Sequence, residues 1–180
     1  LKNLLSLPHP FERAVVMLQK EVIDRLAAQP GTKDYGVLSL RTQVDWIVDP
    51  KRTVPPEAFH PRPKIDSSVA VLTPRRSGLP AFDHRLFDEL IRRGFAQRRK
   101  QLKKQLPEGV DWEEIAEKLG VPVTTRGEEL NLAQWVDLTR ECDPHPLKDL
   151  PQKSGEIFDV VDEQDLVIGI HFTYGWMPTI

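Results

Sequence analysis

The chain has 180 residues, of which 39% are hydrophobic and 29% are charged, a composition typical of a globular protein and not of a collagen-like or disordered chain. Its apolar runs, such as residues 14–18, are far shorter than the roughly 20 residues of a membrane-spanning helix, so we expect no membrane span and no membrane partner. Cys142 is the only cysteine, which excludes an intramolecular disulfide and a cysteine-rich zinc site and favours the reducing cytoplasm.

The first half of the chain alternates between predicted strands and a helix. Residues 14–18 form an apolar run that predicts a buried strand, and residues 19–29 have the apolar spacing of an amphipathic helix. Residues 37–48 alternate well enough to predict one or two strands. Seven of the 16 prolines lie between residues 50 and 80, a stiff connection interrupted by one predicted strand at 67–72. This order indicates the end of an α/β domain.

The second half of the chain has helical patterns. Helices are predicted at residues 83–106, 111–119 and 131–141. Asp111 and Asn131 stand where N-caps belong, each just before a helical pattern. We therefore predict a small all-α domain after the α/β part.

The net charge of −2 hides a strongly basic segment at residues 92–104, which holds seven basic residues and no acidic one. On a single helix six of these cations would share an arc of about 140°. They would repel one another unless a partner neutralised them, so the pattern favours binding to nucleic acid. The alternative is a solvated helix face. The residues are Arg92, Arg93, Arg98, Arg99, Lys100, Lys103 and Lys104.

The proline-rich segment at residues 54–67 contains one aromatic residue, Phe59, and the cations Arg62 and Lys64. Its prolines fix the backbone, so the loop could hold an extruded base by stacking. The alternative is that Phe59 only covers the sheet edge. The chain has no nucleophile, phosphate-binding or metal motif.

Five segments are distinctive when taken together: MLQKEV at 17–22, DYGVLS at 34–39, VPPEAFHPRPKIDS at 54–67, FAQRRKQL at 95–102 and RGEEL at 126–130. In order and spacing they resemble ribosomal RNA adenine dimethyltransferases of the KsgA type, relatives of the Erm methyltransferases. The resemblance implies dimethylation of N6 of two adjacent adenosines near the 3′ end of small-subunit (16S) rRNA during ribosome assembly. S-adenosylmethionine is the implied methyl donor, and the small ribosomal subunit is the implied partner.

The resemblance also implies a division of the chain. We expect residues 1–75 to be the C-terminal part of a Rossmann-like methyltransferase sheet, 80–142 a helical rRNA-binding domain and 143–155 a linker. The glycine-rich loop, the acidic cofactor ligands and the Asn-x-Pro-Tyr/Phe motif of the family precede the first matching segment and do not occur here. We therefore expect the C-terminal half of such an enzyme, a monomer with no cofactor-binding residue that is inactive alone.

Site residues are implied by the same match. Phe59 would stack on the target adenine, and Pro61, Lys64 and the seven basic residues of 92–104 would contact RNA. Residues 156–169 resemble the opening strands of a Nudix hydrolase domain whose metal box does not follow, and an irregular tail at 156–180 is an equal alternative. The rival function is a non-catalytic rRNA-binding module for ribosome assembly.

Overall fold

A three-stranded sheet begins the part of the chain that the computed structural model describes, residues 12–76 and 78–144. Its strands are β1 (Ala14–Gln19), β2 (Trp46–Val54) and β3 (Ser67–Pro74), in the order β1-β3-β2. Strand β3 is antiparallel to both neighbours. Strands β1 and β2 are therefore parallel to each other and end on the same side of the sheet. The strands predicted at 14–18 and 67–72 are confirmed.

One face of the sheet is packed and the other is open. Ala14 and Val16 of β1 are buried, while Val15 is 66% and Met17 is 51% exposed. Successive strand residues point to opposite faces, so this alternation marks a sheet covered on one side among the described residues. The covered face packs around the buried side chains Ile23, Leu26, Trp46, Ala70 and Leu72.

Two helices, α1 (Lys20–Leu26) and α2 (Val37–Gln43), connect β1 to β2. The helix predicted at 19–29 is confirmed. The strand predicted across 37–48 is wrong for residues 37–43, and only its last part, from Trp46, is a strand. The buried Ser39 hydroxyl accepts a hydrogen bond from the Gly36 N–H (3.1 Å) and donates to the Arg25 carbonyl oxygen (2.6 Å). These contacts start α2 and attach it to α1.

Beyond β3 lie the helices α3 (His84–Ala96), α4 (Trp112–Leu119) and α5 (Leu132–Cys142). Asp111 accepts a hydrogen bond from the Glu114 backbone, and Asn131 exchanges bonds with Gln134 in a capping box. Both predicted N-caps are therefore confirmed, as are the second and third helices. We refer to residues 82–142 as the helical segment. No helix in the described part of the chain is both long and apolar enough to cross a membrane.

The helix predicted at 83–106 is wrong beyond Ala96, where α3 ends. The Gln105 side chain hydrogen-bonds to the backbone at the end of α3. Its Oε1 accepts from the Gln97 N–H (3.1 Å) and its Nε2 donates to the Gly94 carbonyl oxygen (3.3 Å). These bonds satisfy backbone groups that a helix terminus leaves open. After the break, Leu102–Lys104 forms a 3-10 turn whose Leu102 side chain is fully buried.

In the core of the helical segment, the backbone at Gly127 packs directly against the backbone at Gly94, an arrangement here named the glycine crossing. A Cβ atom on Gly94 would lie 2.4 Å from the Trp135 ring, and one on Gly127 would lie 2.7 Å from the Gly94 carbonyl oxygen. Trp135 is fully buried and its Nε1 donates to the Gly127 carbonyl oxygen (3.2 Å). The core at the glycine crossing also includes Tyr35 and Leu40 from the segment before β2.

Candidate RNA-contacting surfaces

The loop between β2 and β3, residues 55–66, is here named the stacking loop. Val54 pairs with Ser67 at its base, and Pro56–Ala58 forms a 3-10 turn directly before Phe59. The Asp66 carbonyl oxygen accepts a hydrogen bond from the Lys20 N–H (2.9 Å), which ties the end of the loop to the start of α1. The loop is therefore anchored on both sides and shaped by prolines in between.

The position of the stacking loop is that of a ligand site in an open α/β sheet. Strands β1 and β2 are parallel, and both end next to this loop, at Gln19 and Val54. Ligands of such sheets bind outside the carboxyl ends of the parallel strands. The topology therefore places Phe59 at the end of the sheet where chemistry is expected.

Side chains of the stacking loop differ in their availability. Arg62 forms an ion pair with Glu57 within the loop. The exposed Lys64 and the half-buried Phe59 ring have no side-chain partner among the described residues. Pro61 is exposed, and the peptide bond before it is cis. Within the described residues, a ligand of Phe59 and Lys64 would therefore displace no hydrogen bond, ion pair or ring contact of these side chains.

Four of the seven basic residues of 92–104 are neutralised within the protein. Their acidic partners come from the preceding turns of α3 and from other elements, although the basic segment itself contains no acid. Because α3 ends at Ala96, residues 97–104 do not continue its surface, so the single basic helix face predicted from the sequence does not form. The ion pairs join Arg92 to Asp88, Arg93 to Glu89, Arg98 to Glu128 and Lys103 to Glu113.

Arg98 is the most extensively bonded of these cations. Its guanidinium donates two hydrogen bonds to Glu128 Oε2, from Nε at 3.0 Å and from Nη2 at 2.8 Å. It also donates to the backbone carbonyl oxygens of Lys33 (2.6 Å) and Thr32 (3.1 Å). The Gly31 N–H donates to the Glu128 carbonyl oxygen (2.8 Å) beside it. Arg98 thus connects the loop after α1 to the helical segment.

Three cations remain exposed and form no ion pair with any described residue: Arg99, Lys100 and Lys104. They lie in residues 97–104, here named the basic turn, which follows α3. Gln101 of this turn forms an isolated antiparallel bridge with Arg126. Arg126 is also exposed and its guanidinium has no partner in the described ranges. Arg126 is the first residue of RGEEL but is not among the RNA-contacting residues predicted from the sequence.

Next to the stacking loop, a side-chain hydrogen bond to Asp24 raises the pKa of the Lys20 ammonium. Burial raises the pKa of the Asp45 carboxyl to about 7, but Asp45 precedes β2 at the end of the sheet opposite the stacking loop. Burial also raises the pKa of the Cys142 thiol to about 11, so it stays protonated at neutral pH. Within residues 12–76 and 78–144, no three His, Cys, Asp or Glu side chains come together as metal ligands would.

Comparisons with known proteins agree with this arrangement. The family model described as "Ribosomal RNA adenine dimethylase" matches residues 1–143. The chain is 48% identical over 136 residues to ribosomal RNA small subunit methyltransferase A of Synechocystis sp., covering 72% of this chain and 46% of that protein. It is 40% identical over 155 residues to the protein of the same name from Bacillus cytotoxicus, covering 81% and 53%. The chain thus spans about half the length of the curated relatives it matches.

Solved structures show the same fold at lower identity. A dimethyladenosine transferase from Plasmodium falciparum aligns with a TM-score of 0.61 and 24% identity, covering 76% of this chain and 58% of that one. The 23S rRNA methyltransferase ErmE aligns with a TM-score of 0.52 and 20% identity, covering 72% and 54%. Both are neighbours with an α/β methyltransferase fold. The predicted Nudix-like segment at 156–180 lies outside the described residues and beyond the family match, and these comparisons do not bear it out.

Proposed function

Because the chain belongs to the ribosomal RNA adenine dimethylase family, we propose that it is the RNA-holding part of an enzyme that dimethylates N6 of adenosines. The proposed target is two adjacent adenosines near the 3′ end of 16S rRNA, modified during ribosome assembly. The observation that carries this proposal is the position of Phe59, in the loop at the carboxyl ends of two parallel strands, where its ring contacts no other ring of the described residues.

Phe59 is proposed to stack on the target adenine. The N6 lone pair of adenine is delocalised into the ring, so the base must be taken out of its helix and held rigidly for methyl transfer. A base stacked on an aromatic side chain gains roughly 1–3 kcal/mol. The anchors of the stacking loop at Ser67 and Asp66 support this role because they limit movement of the ring.

Arg99, Lys100 and Lys104 are proposed to contact rRNA phosphates, with Lys64 and Pro61 contacting RNA beside the target base. Cations that bind phosphates release counterions, so this binding should weaken as salt increases. The other basic residues of the predicted set, which have acidic partners, are assigned a smaller share. The protein would act as a monomer on ribosomal particles in the cytoplasm.

The described residues do not fit a site for S-adenosylmethionine. No glycine-rich phosphate- or nucleotide-binding motif occurs in the 180 residues, and the polar pocket found in the helical segment lies among residues 101–134, away from the carboxyl ends of β1 and β2. We therefore assign no step of methyl transfer to residues of this chain beyond holding the base and the RNA.

Methyl incorporation into unmethylated small ribosomal subunits tests the proposal. The 180-residue chain is compared with a version extended upstream in its reading frame, using labelled S-adenosylmethionine. We expect incorporation only with the extended version, at N6 of two adjacent adenosines. If neither version methylates subunits while both bind them in a salt-sensitive way, the non-catalytic RNA-binding module replaces the enzyme.

Phe59→Ala in the extended version tests the stacking role. Loss of the ring should reduce turnover about 30-fold and change the affinity for subunits by less than about threefold, because one base contact is lost among many phosphate contacts. Phe59→Trp should retain most of the turnover. Ile65→Ala, in the same loop and also exposed, is the matched control and should leave turnover unchanged. Equal turnover for Phe59→Ala and the parent would remove Phe59 from the site.

A further inference from the structure

An open polar pocket of about 620 Å³ lies beside the basic turn. Its walls include Gln101 of the turn and the segment Val121, Pro122, Thr124, Thr125 and Arg126. The pocket is joined to the turn by the bridge between Gln101 and Arg126 and by a hydrogen bond from the Leu102 N–H to the Thr125 carbonyl oxygen (2.9 Å). An RNA strand that follows the basic turn would therefore reach the pocket.

Four of the five residues of the RGEEL segment at 126–130 take part in contacts that stabilise the fold. Gly127 forms the glycine crossing with Gly94, and Glu128 binds Arg98. Glu129 accepts a hydrogen bond from the Arg126 N–H (2.6 Å), and the Leu130 side chain is fully buried. Within this segment only the Arg126 guanidinium is a polar side-chain group with no hydrogen bond or ion pair to another described residue, and Arg126 lies on the pocket wall.

Thr125 provides a second, independent sign of a ligand. The residue lines the pocket and is only 5% exposed, yet its hydroxyl has no hydrogen-bond partner among the described residues. A buried polar group without a partner is costly, and native proteins rarely keep one without a reason. The hydroxyl of Thr124 and the amide of Gln101 are also unpartnered in the described part of the chain, whereas Gln134 is used to cap α5.

We propose that this pocket binds one unpaired nucleotide of the RNA held by the basic turn. Arg126 would bind its phosphate, Val121 and Pro122 would pack against the base, and Thr125 and Gln101 would hydrogen-bond to its polar edge. The volume is within the range of small-molecule sites. The walls also include Glu129, whose carboxylate accepts a hydrogen bond from the Arg126 N–H. A site with one cation, one carboxylate, two hydroxyls, an amide and an apolar wall matches a nucleotide better than a phosphate alone.

This proposal rests on the proposed function only in that the nucleotide belongs to bound RNA. The same chemistry would bind a free nucleoside monophosphate. The experiment therefore includes both ligands: unmethylated small ribosomal subunits, and AMP, GMP, CMP and UMP in separate titrations.

Thr125→Val and Arg126→Gln in the 180-residue chain test the pocket. Thr125→Val should weaken subunit binding about tenfold with an unchanged or raised melting temperature, because the hydroxyl that it removes is buried without a partner. Arg126→Gln should weaken binding about tenfold and reduce the salt slope by about one. Because both side chains would hold one nucleotide, the double variant should lose less than the sum of the two changes in binding free energy.

Two controls separate binding from folding. Thr139→Val removes a buried hydroxyl that does have a partner, the Trp135 carbonyl oxygen at 2.8 Å, so it should lower the melting temperature without weakening binding in the folded chain. Arg140→Gln removes an exposed arginine from α5 and should leave binding unchanged.

The outcomes distinguish the two proposals. If Arg99→Glu and Lys104→Glu weaken subunit binding but Thr125→Val and Arg126→Gln do not, the pocket proposal is overturned and the proposed function stands. If none of the four variants changes binding, the RNA-binding function itself fails. Monophosphate binding that Arg126→Gln abolishes, with subunit binding unaffected, would replace the RNA nucleotide with a free one.

Discussion

The stacking loop and the basic turn differ in how their side chains are used. In the loop, Phe59 and Lys64 have no partners among the described residues, and one cation, Arg62, is paired with Glu57. In the segment that contains the turn, four of seven cations are paired within the protein. The loop is held by backbone contacts and prolines, and the turn by side-chain charges and buried side chains.

This difference shows that charge density along a sequence overstates the charge available to a ligand. Arg98 and Arg99 are neighbours with the same chemistry. Arg98 donates four hydrogen bonds within the protein, whereas Arg99 is exposed without an ion pair in the described ranges. The charge that this segment leaves unpaired within the described residues is therefore smaller and more local than its composition indicates.

Gly94→Ala should give the largest change in stability, because it disturbs the packing that places the basic turn. The new methyl group would lie 2.4 Å from the Trp135 ring and 3.1 Å from the Leu102 side chain, and both neighbours are fully buried. Overpacking of this kind should cost about 3 kcal/mol in the free energy of unfolding, measured by urea denaturation.

Gly36→Ala is the matched control for this test. The nearest atom to a Cβ on Gly36 is 3.9 Å away, and its φ of −174° is extended. Only the poorer N-cap preference of alanine should then count, at a cost of about 0.5–1 kcal/mol. Equal unfolding curves for the two variants would show that the glycine crossing is looser than its geometry indicates.

Substitutions of the neighbouring Arg98 and Arg99 test whether a paired and an unpaired cation contribute differently to stability and to RNA binding. Arg98→Ala should lower the free energy of unfolding by about 2 kcal/mol, since it leaves Glu128 unpaired and frees the loop at 32–33. Arg99→Ala should change stability by less than about 0.5 kcal/mol and should reduce the salt slope of subunit binding by about one.

Arg98→Lys is the informative control in that comparison. It keeps the positive charge but cannot reproduce the forked contacts of the guanidinium, so stability should fall while the salt slope stays the same. An Arg99→Ala variant as unstable as Arg98→Ala would contradict the division between structural and RNA-contacting cations.

Much of the fold could be predicted because it is set by local patterns. The strands at 14–18 and 67–72 have clear apolar runs, and the helices α4 and α5 have N-caps that can be read from Asp111 and Asn131. Helix α2 was missed because the apolar residues of 37–48 fit either spacing. The contact that decides it, from Ser39 to the Arg25 carbonyl oxygen, joins residues 14 positions apart.

The candidate site could be predicted only in part, for the same physical reason. The stiffness of the stacking loop follows from its prolines, which are local. The neutralisation of Lys103 and Arg98 depends on Glu113 and Glu128, which lie 10 and 30 residues away. The end of α3 depends on the Gln105 side chain, eight residues beyond the Gln97 N–H that it caps.

The smallest expected effect on stability is at Asp45, which lies at the end of the sheet away from the stacking loop. Burial raises the pKa of its carboxyl from 3.8 to about 7, so the folded protein favours the protonated form. The contribution of Asp45 to stability is therefore highest below about pH 4, falls as pH rises towards 7 and is constant above that. One pKa unit corresponds to about 1.36 kcal/mol. Because Asp45 is only partly withdrawn from solvent, we expect the free energy of unfolding to fall by about 1–2 kcal/mol in total as the pH rises across this range.

Asp45→Asn should remove this pH dependence, because the amide does not ionise. The difference in the free energy of unfolding between Asp45→Asn and the parent should be near zero at about pH 3 and about 1–2 kcal/mol in favour of the variant at pH 8. A constant difference across this range would mean that Asp45 ionises in the folded protein as it does in the unfolded chain. Subunit binding by Asp45→Asn should equal that of the parent, because Asp45 precedes β2 at the end of the sheet opposite the stacking loop.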